Sequence, residues 1–136
     1  MYMIMTDRFV NGNESNDESP TGAASGADWQ GGDFAGVTQM IESGYFDDLG
    51  VNALWLTPFN TAADGTGKAA DGVHDVSAFH GYWPTEARGV EPRLGTEDEL
   101  HAMVDAAHQR GIRVMMDFVV NHVHEDHEYV QSHPEW

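Results

Sequence analysis

Three polar residues of complementary chemistry, Asp117, Asn121 and His122, follow a mostly apolar run at residues 112–116. Gly111, directly before the run, is placed to end a helix, so we interpret the run as a buried parallel strand. In α/β barrels and open α/β sheets, the carboxyl ends of the strands carry the chemistry. A carboxylate, an amide and an imidazole at one rim therefore indicate a functional site. The alternative is a strand end that simply returns to solvent.

A second group of polar residues is rich in hard oxygen donors. Residues 11–17 read NGNESND, and Asp28 follows after a glycine-rich connection. Ca²⁺ takes about six to eight oxygen ligands from carboxylates, amides and backbone carbonyls, so this composition suits a calcium site. The spacing is not that of an EF-hand, and a disordered polar loop is the alternative. Both interpretations remain open.

Two adjacent aromatic residues, Tyr82 and Trp83, lie in the loop sequence HGYWP at residues 80–84. Apolar binding sites with few polar groups commonly use aromatic faces, and the flat C–H faces of sugar rings suit such stacking. The pair is therefore a candidate sugar platform. The alternative is that one or both rings pack as a plug on the rim of the fold.

The histidine-rich segment after residue 121 could hold a transition metal. His122, His124 and His127 lie close to acidic residues at 125, 126 and 128, and the pair His122 and His124 at a strand end resembles a metal-dependent amidohydrolase site. Those enzymes carry such a pair after the first strand, whereas here it follows the third. A zinc or iron site is therefore the weaker alternative for this segment.

The charge of the chain is strongly acidic. It has 23 acidic and 6 basic residues, a formal net charge of −17. Nucleic acid and anionic membranes are disfavoured as partners, because phosphate contacts require Lys and Arg. An acidic surface kept soluble by self-repulsion explains most of this charge, with cation-binding clusters as a second cause.

Cysteine is absent, which excludes disulfides, thiolate zinc sites and cysteine nucleophiles. No apolar run reaches the roughly 18 residues that suggest a membrane span, and no signal-peptide pattern is visible. The sequence leaves localisation uncertain, with a secreted or periplasmic full-length protein expected.

The order of predicted elements is strand, helix, strand, helix, strand. Strands are expected at residues 2–6, 51–57 and 112–116. One helix is expected from Asp33 to Gly50, and a second one opens with a capping box at residues 96–99. Long loops follow the strands, including one at 59–95, whereas short returns follow the helices. This asymmetry predicts an α/β fold, either a (β/α)-barrel or a doubly wound sheet. Three strands are too few to close a barrel, so part of a larger fold is expected.

Four motifs in order make the chain resemble the α-amylase family of glycoside hydrolases, in its amylase and cyclodextrin-glucanotransferase branch. They are TDRF at residues 6–9, GVNALWLTP at 50–58, HGYW at 80–83 and DFVVNH at 117–122. The resemblance covers essentially the whole chain. It implies the first three β/α units of a TIM (β/α)8 barrel, incomplete in this chain, at residues 1–122. Residues 123–136 would begin the domain inserted after strand three.

The resemblance also implies roles for individual residues. Tyr82 would stack on the glucose at the non-reducing side of the cut bond, and His122 would hydrogen-bond its hydroxymethyl group. His80 and Trp83 belong to the same substrate-binding motif. Asp117 would support the site by orienting its neighbours.

Calcium is the cofactor that the resemblance implies. Asn121 would supply an oxygen to the Ca²⁺ that joins the barrel to the inserted domain. A second Ca²⁺ site would take Asn11, Asn13, Asn16, Asp17, Asp28 and the carbonyl of Gly26. Asn11 stands where Asp is usual in this branch, and Asp17 where Asn is usual, so the number of donors is kept.

The catalytic carboxylates of the family lie on strands four, five and seven, so none is expected in this chain. Its partners would be an α-glucan substrate and the remainder of its own barrel. The resemblance implies a retaining enzyme acting on α-1,4-glucosidic bonds of starch or maltodextrins. The alternatives are a cyclodextrin-glucanotransferase-type transglycosylase and a non-catalytic, calcium-dependent glucan-binding module.

Overall fold

A three-stranded parallel sheet forms the centre of the computed structural model, which describes all of residues 1–136. Its strands are β1 (Tyr2–Ile4), β2 (Ala53–Leu56) and β7 (Arg113–Met116), in the spatial order β1-β2-β7. All three predicted strands are therefore present. Parallel pairing brings their carboxyl ends to one edge, where the predicted site residues follow.

The first crossover contains two helices where one was predicted. The predicted cap is confirmed, because the Asp33 carboxylate accepts a hydrogen bond from the Gly36 N–H at 2.6 Å. Helix α1 (Phe34–Glu42) then ends, and α2 (Tyr45–Asp48) begins after Gly44. The prediction of one continuous helix is wrong because Gly44 has φ 86°, a left-handed conformation that ends a helix.

The second crossover is helix α3 (Glu97–Gln109), which begins as predicted. The Thr96 hydroxyl accepts from the Glu99 N–H at 3.2 Å, and the Glu99 carboxylate accepts from the Thr96 N–H at 2.7 Å. Met103 and Ala107 are fully buried on its inner face, which packs in one cluster with the buried face of α1 and the sheet. Both crossovers therefore cover the same side of the sheet.

The segment predicted as a long loop, residues 59–95, contains strands. Strand β3 (Asn60–Ala62) pairs antiparallel with β6 (Pro84–Val90), and β4 (Gly67–Lys68) pairs with β5 (Asp75–Val76). The prediction is wrong because β3, β4 and β5 are only two or three residues long and the pairing of β3 with β6 has register shifts. Neither pair of strands shows the regular alternation of apolar and polar residues that identifies a strand in a sequence.

A buried ion pair ties this segment to the rest of the fold. The Glu91 carboxylate accepts from Arg93 Nε at 2.5 Å and from the Ala62 N–H at 2.8 Å. Arg93 also donates to Asp64 at 2.8 Å and lies 4.4 Å from the centre of the Trp29 ring. Burial alone lowers the pKa of Arg93, but the surrounding carboxylates, with Glu91 first among them, together outweigh burial and raise it. This cluster joins three segments of the chain, at residue 29, at residues 62–64 and at residues 91–93.

Strand β7 is more exposed than predicted. Its side chains alternate between exposed and half-buried, and Met115 is 43% exposed. The prediction of a buried strand is wrong for this chain because β7 has a neighbour only on its β2 side, which leaves an edge. Helix α4 (Glu128–Ser132) follows in the last segment. No helix of the chain is long and apolar enough to cross a membrane.

Candidate functional site

Asp117 and Tyr82 meet at the carboxyl end of the sheet. The Asp117 N–H donates to the Leu56 carbonyl at 2.9 Å, which extends the pairing of β2 and β7 to this residue. The Tyr82 hydroxyl donates to Asp117 Oδ2 at 2.6 Å. This hydrogen bond, followed by burial, raises the pKa of Tyr82 to about 12, because ionisation would place two negative charges side by side. Tyr82 is therefore a neutral donor at all physiological pH values.

The loop that carries Tyr82 lies directly on the end of β2. Gly81 has φ 81°, and a Cβ atom there would lie 1.9 Å from the Pro58 carbonyl oxygen. Only glycine fits this close approach in this conformation. Gly81 thus allows the loop that carries Tyr82 to pack directly against the chain that follows β2.

The His122 side chain contacts the backbone of the same tyrosine. His122 Nε2 lies 2.8 Å from the Tyr82 carbonyl oxygen, so Nε2 carries the proton and donates it. Asn121 Nδ2 lies 3.3 Å from His122 Nδ1, which is then the acceptor. Both residues are exposed. Both ring nitrogens are thus engaged, so a sugar hydroxyl would have to replace the Asn121 amide at Nδ1 or the Tyr82 carbonyl at Nε2.

His80 lies beside the Tyr82 ring. The two rings are 5.8 Å apart with planes inclined by 25°, and His80 Nδ1 accepts from the Tyr82 N–H at 3.0 Å. Burial, with the nearby Arg8 charge as a smaller cause, lowers the pKa of His80. His80 is therefore neutral, with its proton on Nε2. We call Asp117, Tyr82, His122 and His80 the strand-end cluster.

Trp83 has the surroundings of a packing residue. Its ring lies edge-on to His80 at 4.8 Å and packs against a small cluster of buried alanines. Gly67 approaches it so closely that a Cβ atom there would come within 2.8 Å of the ring. This geometry favours the plug alternative for Trp83, and Tyr82 stays the candidate for the sugar platform.

Three of the residues predicted for the oxygen-rich site, Asn11, Asn16 and Asp17, lie near one another in the N-terminal loop. Asn11 Nδ2 donates to Asp17 Oδ2 at 2.7 Å, and Asn16 Oδ1 is buried without any hydrogen-bond partner. Asn16 and Asp17 line a cavity of about 260 Å³ together with Asp7. An unpartnered buried oxygen beside carboxylates suits a cation.

The other predicted ligands of this site are engaged elsewhere. Asn13 Oδ1 accepts from the Ser15 hydroxyl at 2.6 Å, and the Asp28 carboxylate accepts from the Thr21 hydroxyl at 2.8 Å. Arg8 donates to the Gly26 carbonyl at 3.4 Å and to the Asp28 carbonyl at 2.6 Å. These contacts would have to open for all six predicted ligands to reach one ion.

The histidine-rich segment does not form a metal cluster. No group of three or more His, Asp or Glu side chains in the structure could hold a metal ion. His127 is buried and accepts from the Tyr129 N–H at 3.1 Å, which caps α4, and His124 lies 3.3 Å from Asp126. The arrangement gives no support to the zinc or iron alternative.

Sequence reasoning did not single out two features of this region. One is the hydrogen bond between Tyr82 and Asp117, and the other is the buried pair of Glu91 and Arg93. Tyr82 and Asp117 were each identified from the sequence. Their contact was not, because it joins residues that are 35 positions apart in the chain. Glu91 and Arg93 had no signal, because charged residues in a polar segment are expected to be exposed.

Comparisons with known proteins agree with this geometry. The family described as "Alpha amylase, catalytic domain" matches residues 3–135. The periplasmic alpha-amylase of Escherichia coli is 39% identical over 127 residues, covering 90% of this chain and 18% of that protein. A cyclomaltodextrin glucanotransferase of Geobacillus stearothermophilus is 37% identical over 131 residues, covering 90% of this chain and 17% of that one.

A solved structure shows the same fold. An Anoxybacillus alpha-amylase superposes with a TM-score of 0.82 at 33% identity, covering 98% of this chain and 26% of that chain. Fold and motifs together define part of the barrel-type catalytic domain of a glycoside hydrolase. The chain belongs to the alpha-amylase family. It spans less than a fifth of the length of the two curated relatives above.

Proposed function

We propose that this chain is the N-terminal part of a retaining enzyme that acts on α-1,4-glucosidic bonds of starch or maltodextrins. Residues 1–122 would supply the first three β/α units of its (β/α)8 barrel, and residues 123–136 would begin an inserted domain. The proposal is supported by the parallel order β1-β2-β7 and by alpha-amylases among the relatives.

The observation that carries the proposal is the strand-end cluster. The Tyr82 ring is half-buried, with His80 beside it and its hydroxyl bound by Asp117. An aromatic ring held in this way at the carboxyl edge of a parallel sheet suits stacking on a sugar. In this proposal Tyr82 contacts the glucose at the cut bond, and His122 contacts its hydroxymethyl group.

The catalytic carboxyl groups would come from parts of the full-length protein outside residues 1–136. A retaining glycosidase needs two carboxyl groups roughly 5 Å apart, one as nucleophile and one as acid/base. The nearest candidates are engaged: Asp7 accepts from the backbone N–H groups of Gln30 and Gly31, and Asp117 accepts from Tyr82. We therefore assign this chain substrate contacts and no catalytic acid.

We expect the full-length protein to convert maltoheptaose with retention of the anomeric configuration, and the 136-residue chain alone to be inactive. Proton NMR of the fresh products measures the first, and a reducing-sugar assay the second. Inverted products, or activity of the short chain that is lost on mutating one of its acids, would contradict this assignment.

The transglycosylase alternative rests on the glucanotransferases among the relatives. Cyclic products from soluble starch would identify it, whereas linear maltooligosaccharides alone would identify a hydrolase. A protein that binds maltoheptaose without converting it would instead be a glucan-binding module. The same incubation, analysed by chromatography, separates the three outcomes.

Calcium is the proposed cofactor. Its support is the unpartnered Asn16 oxygen beside Asp17, and the exposed position of Asn121, whose amide nitrogen lies 3.3 Å from His122 Nδ1. When bound, the ion would join neighbouring segments through these oxygens. Asn16 and Asp17 would hold one ion, and Asn121 would contribute to another.

Calcium should raise the melting temperature of the full-length protein, and EDTA should lower it. Calcium at about 100 times its Kd should add about 2.7 kcal/mol to the free energy of unfolding. Asn16→Ala should weaken this dependence, whereas Asn52→Ala, an exposed amide outside both proposed sites, should not. A melting temperature independent of calcium in both variants and parent would contradict the cofactor proposal.

The proposed partners are an α-glucan and the remainder of the barrel. The exposed edge of β7 and its half-buried side chains fit further strands of the same sheet. The net charge of −17 disfavours nucleic acid and anionic membranes, whereas a neutral glucan is indifferent to it.

A further inference from the structure

His127 is a buried imidazole that the sugar-binding proposal does not use. The residue is 5% exposed, and its Nδ1 atom accepts from the Tyr129 N–H at 3.1 Å. Because Nδ1 is the acceptor, the ring is neutral and carries its proton on Nε2. This hydrogen bond occupies one of the N–H groups that have no partner within the first turn of a helix. The imidazole therefore acts as the N-cap of α4.

The same imidazole lies where α4 meets strand β6. It lines a cavity of about 140 Å³ together with charged or titratable side chains of both elements, which are Glu86 and Arg88 of β6 and Glu128 and Tyr129 of α4. The Glu86 carboxylate is bound by Arg88, whose Nε and Nη2 atoms donate to it at 2.9 and 3.0 Å. The ring is thus surrounded by two carboxylates and one cation, and its hydrogen bond goes to a backbone N–H instead.

The turn before α4 is held in a similar way. His124 Nδ1 accepts from the Asp126 N–H at 3.3 Å, and the same atom lies 3.3 Å from the Asp126 carboxylate. The His124 N–H donates to the Pro84 carbonyl at 2.9 Å, and the His127 N–H donates to the His124 carbonyl at 3.0 Å. Residues 124–129 are therefore joined to the first residue of β6, and two of their backbone N–H groups are capped by imidazole.

A second proton on His127 would abolish the cap of α4. Imidazole changes its charge between about pH 8 and pH 5, and both nitrogens of the charged ring are donors. A charged His127 could no longer accept from the Tyr129 N–H, because two donors would then point at each other. The ring would turn toward the Glu86 and Glu128 carboxylates, which favour its charge.

We propose that His127 is a pH-sensitive cap, which holds the first turn of α4 when it is neutral and releases this turn when it is protonated. Acid would then loosen residues 127–132 at their contact with β6, while the helices that cover the parallel sheet keep their own caps. The switch is local, since it replaces one backbone hydrogen bond by an ion pair. It goes beyond the proposed function, because it requires no sugar.

Amide hydrogen exchange of the full-length protein, followed by mass spectrometry, measures this cap directly. Protection factors of residues 128–133, corrected for the intrinsic exchange rate at each pH, should fall by about fivefold between pH 8 and pH 5, the typical contribution of a helix cap. Helix α3 is the internal reference. The hydrogen bond from the Thr96 N–H lowers the pKa of Glu99, so its capping box stays charged at pH 5. Equal protection of residues 128–133 at both pH values would overturn the proposal without any variant.

Two substitutions of His127 separate its charge from its role as a cap. The Asn side chain in His127→Asn also accepts from helix N–H groups but cannot be protonated, so protection should be the same at pH 8 and pH 5. His127→Ala removes the cap, so protection should be low at both pH values. His108→Asn removes an exposed imidazole on α3 and is the matched control, which should keep the change seen in the parent.

Either of two results with these variants would contradict the proposal. A fall in protection that persists in His127→Asn would mean that another group titrates. Parent-like protection of His127→Ala at pH 8 would mean that the imidazole does not cap the helix. None of these measurements uses catalysis, so a failure to convert maltoheptaose would overturn the proposed function and leave the pH-sensitive cap in place.

Discussion

Tyr82→Ala in the full-length protein should lower kcat on maltoheptaose by about a hundredfold or more. The substitution removes an apolar platform that is bound at its N–H, its carbonyl and its hydroxyl. A platform that orients the reacting sugar acts mainly on the transition state, so the loss should appear in kcat more than in KM. Steady-state kinetics with matched circular dichroism spectra measure it.

Two neighbouring substitutions serve as controls. Tyr82→Phe keeps the stacking face and should cost about tenfold, the part due to the Asp117 hydrogen bond. Trp83→Ala removes a ring that packs against His80 and Gly67, so it should lower the melting temperature more than kcat. A normal kcat for a well-folded Tyr82→Ala protein would remove Tyr82 from the sugar subsite.

Glu91→Ala should lower the free energy of unfolding by about 3 kcal/mol. The substitution leaves the buried Arg93 guanidinium with only exposed partners, and it also leaves the Ala62 N–H without an acceptor. Removing one partner of a buried pair is strongly destabilising, because an uncompensated charge remains inside. Urea denaturation of the full-length protein measures the change.

Asp64→Ala is the matched control, because it removes another carboxylate from the same Arg93. The Asp64 side chain is 93% exposed, so water replaces most of what is lost. Its effect on the denaturation midpoint should be small. Equal shifts of the denaturation midpoint in Glu91→Ala and Asp64→Ala would mean that burial of Glu91 does not determine how strongly its contact with Arg93 stabilises the fold.

The order of elements could be predicted from the sequence, because apolar periodicity and caps are local signals. The Thr96 capping box and the Asp33 cap both appear as expected. The break at Gly44 was missed because Phe46 continues the helical spacing of α1 across it. Strands β3 and β6 were missed because their pairing is set by distant residues and has register shifts.

The candidate site could be predicted as a set of residues but not as a set of contacts. Tyr82, His122 and Asp117 were each identified from motifs at strand ends. Their hydrogen bonds depend on the path of the loop over Pro58, which Gly81 permits. The calcium ligands remain a prediction, and the contacts of Asp28 with Thr21 show why spacing alone cannot assign a ligand.

The most direct test of the account is a crystal structure of the full-length protein with a bound maltooligosaccharide inhibitor. We expect one glucose ring to lie against the face of Tyr82 that His80 does not cover, with its hydroxymethyl group within hydrogen-bond distance of His122. The Tyr82 hydroxyl should still bind Asp117. A sugar chain bound elsewhere, with the Tyr82 face open to solvent, would contradict the central claim that the strand-end cluster is the glucan site.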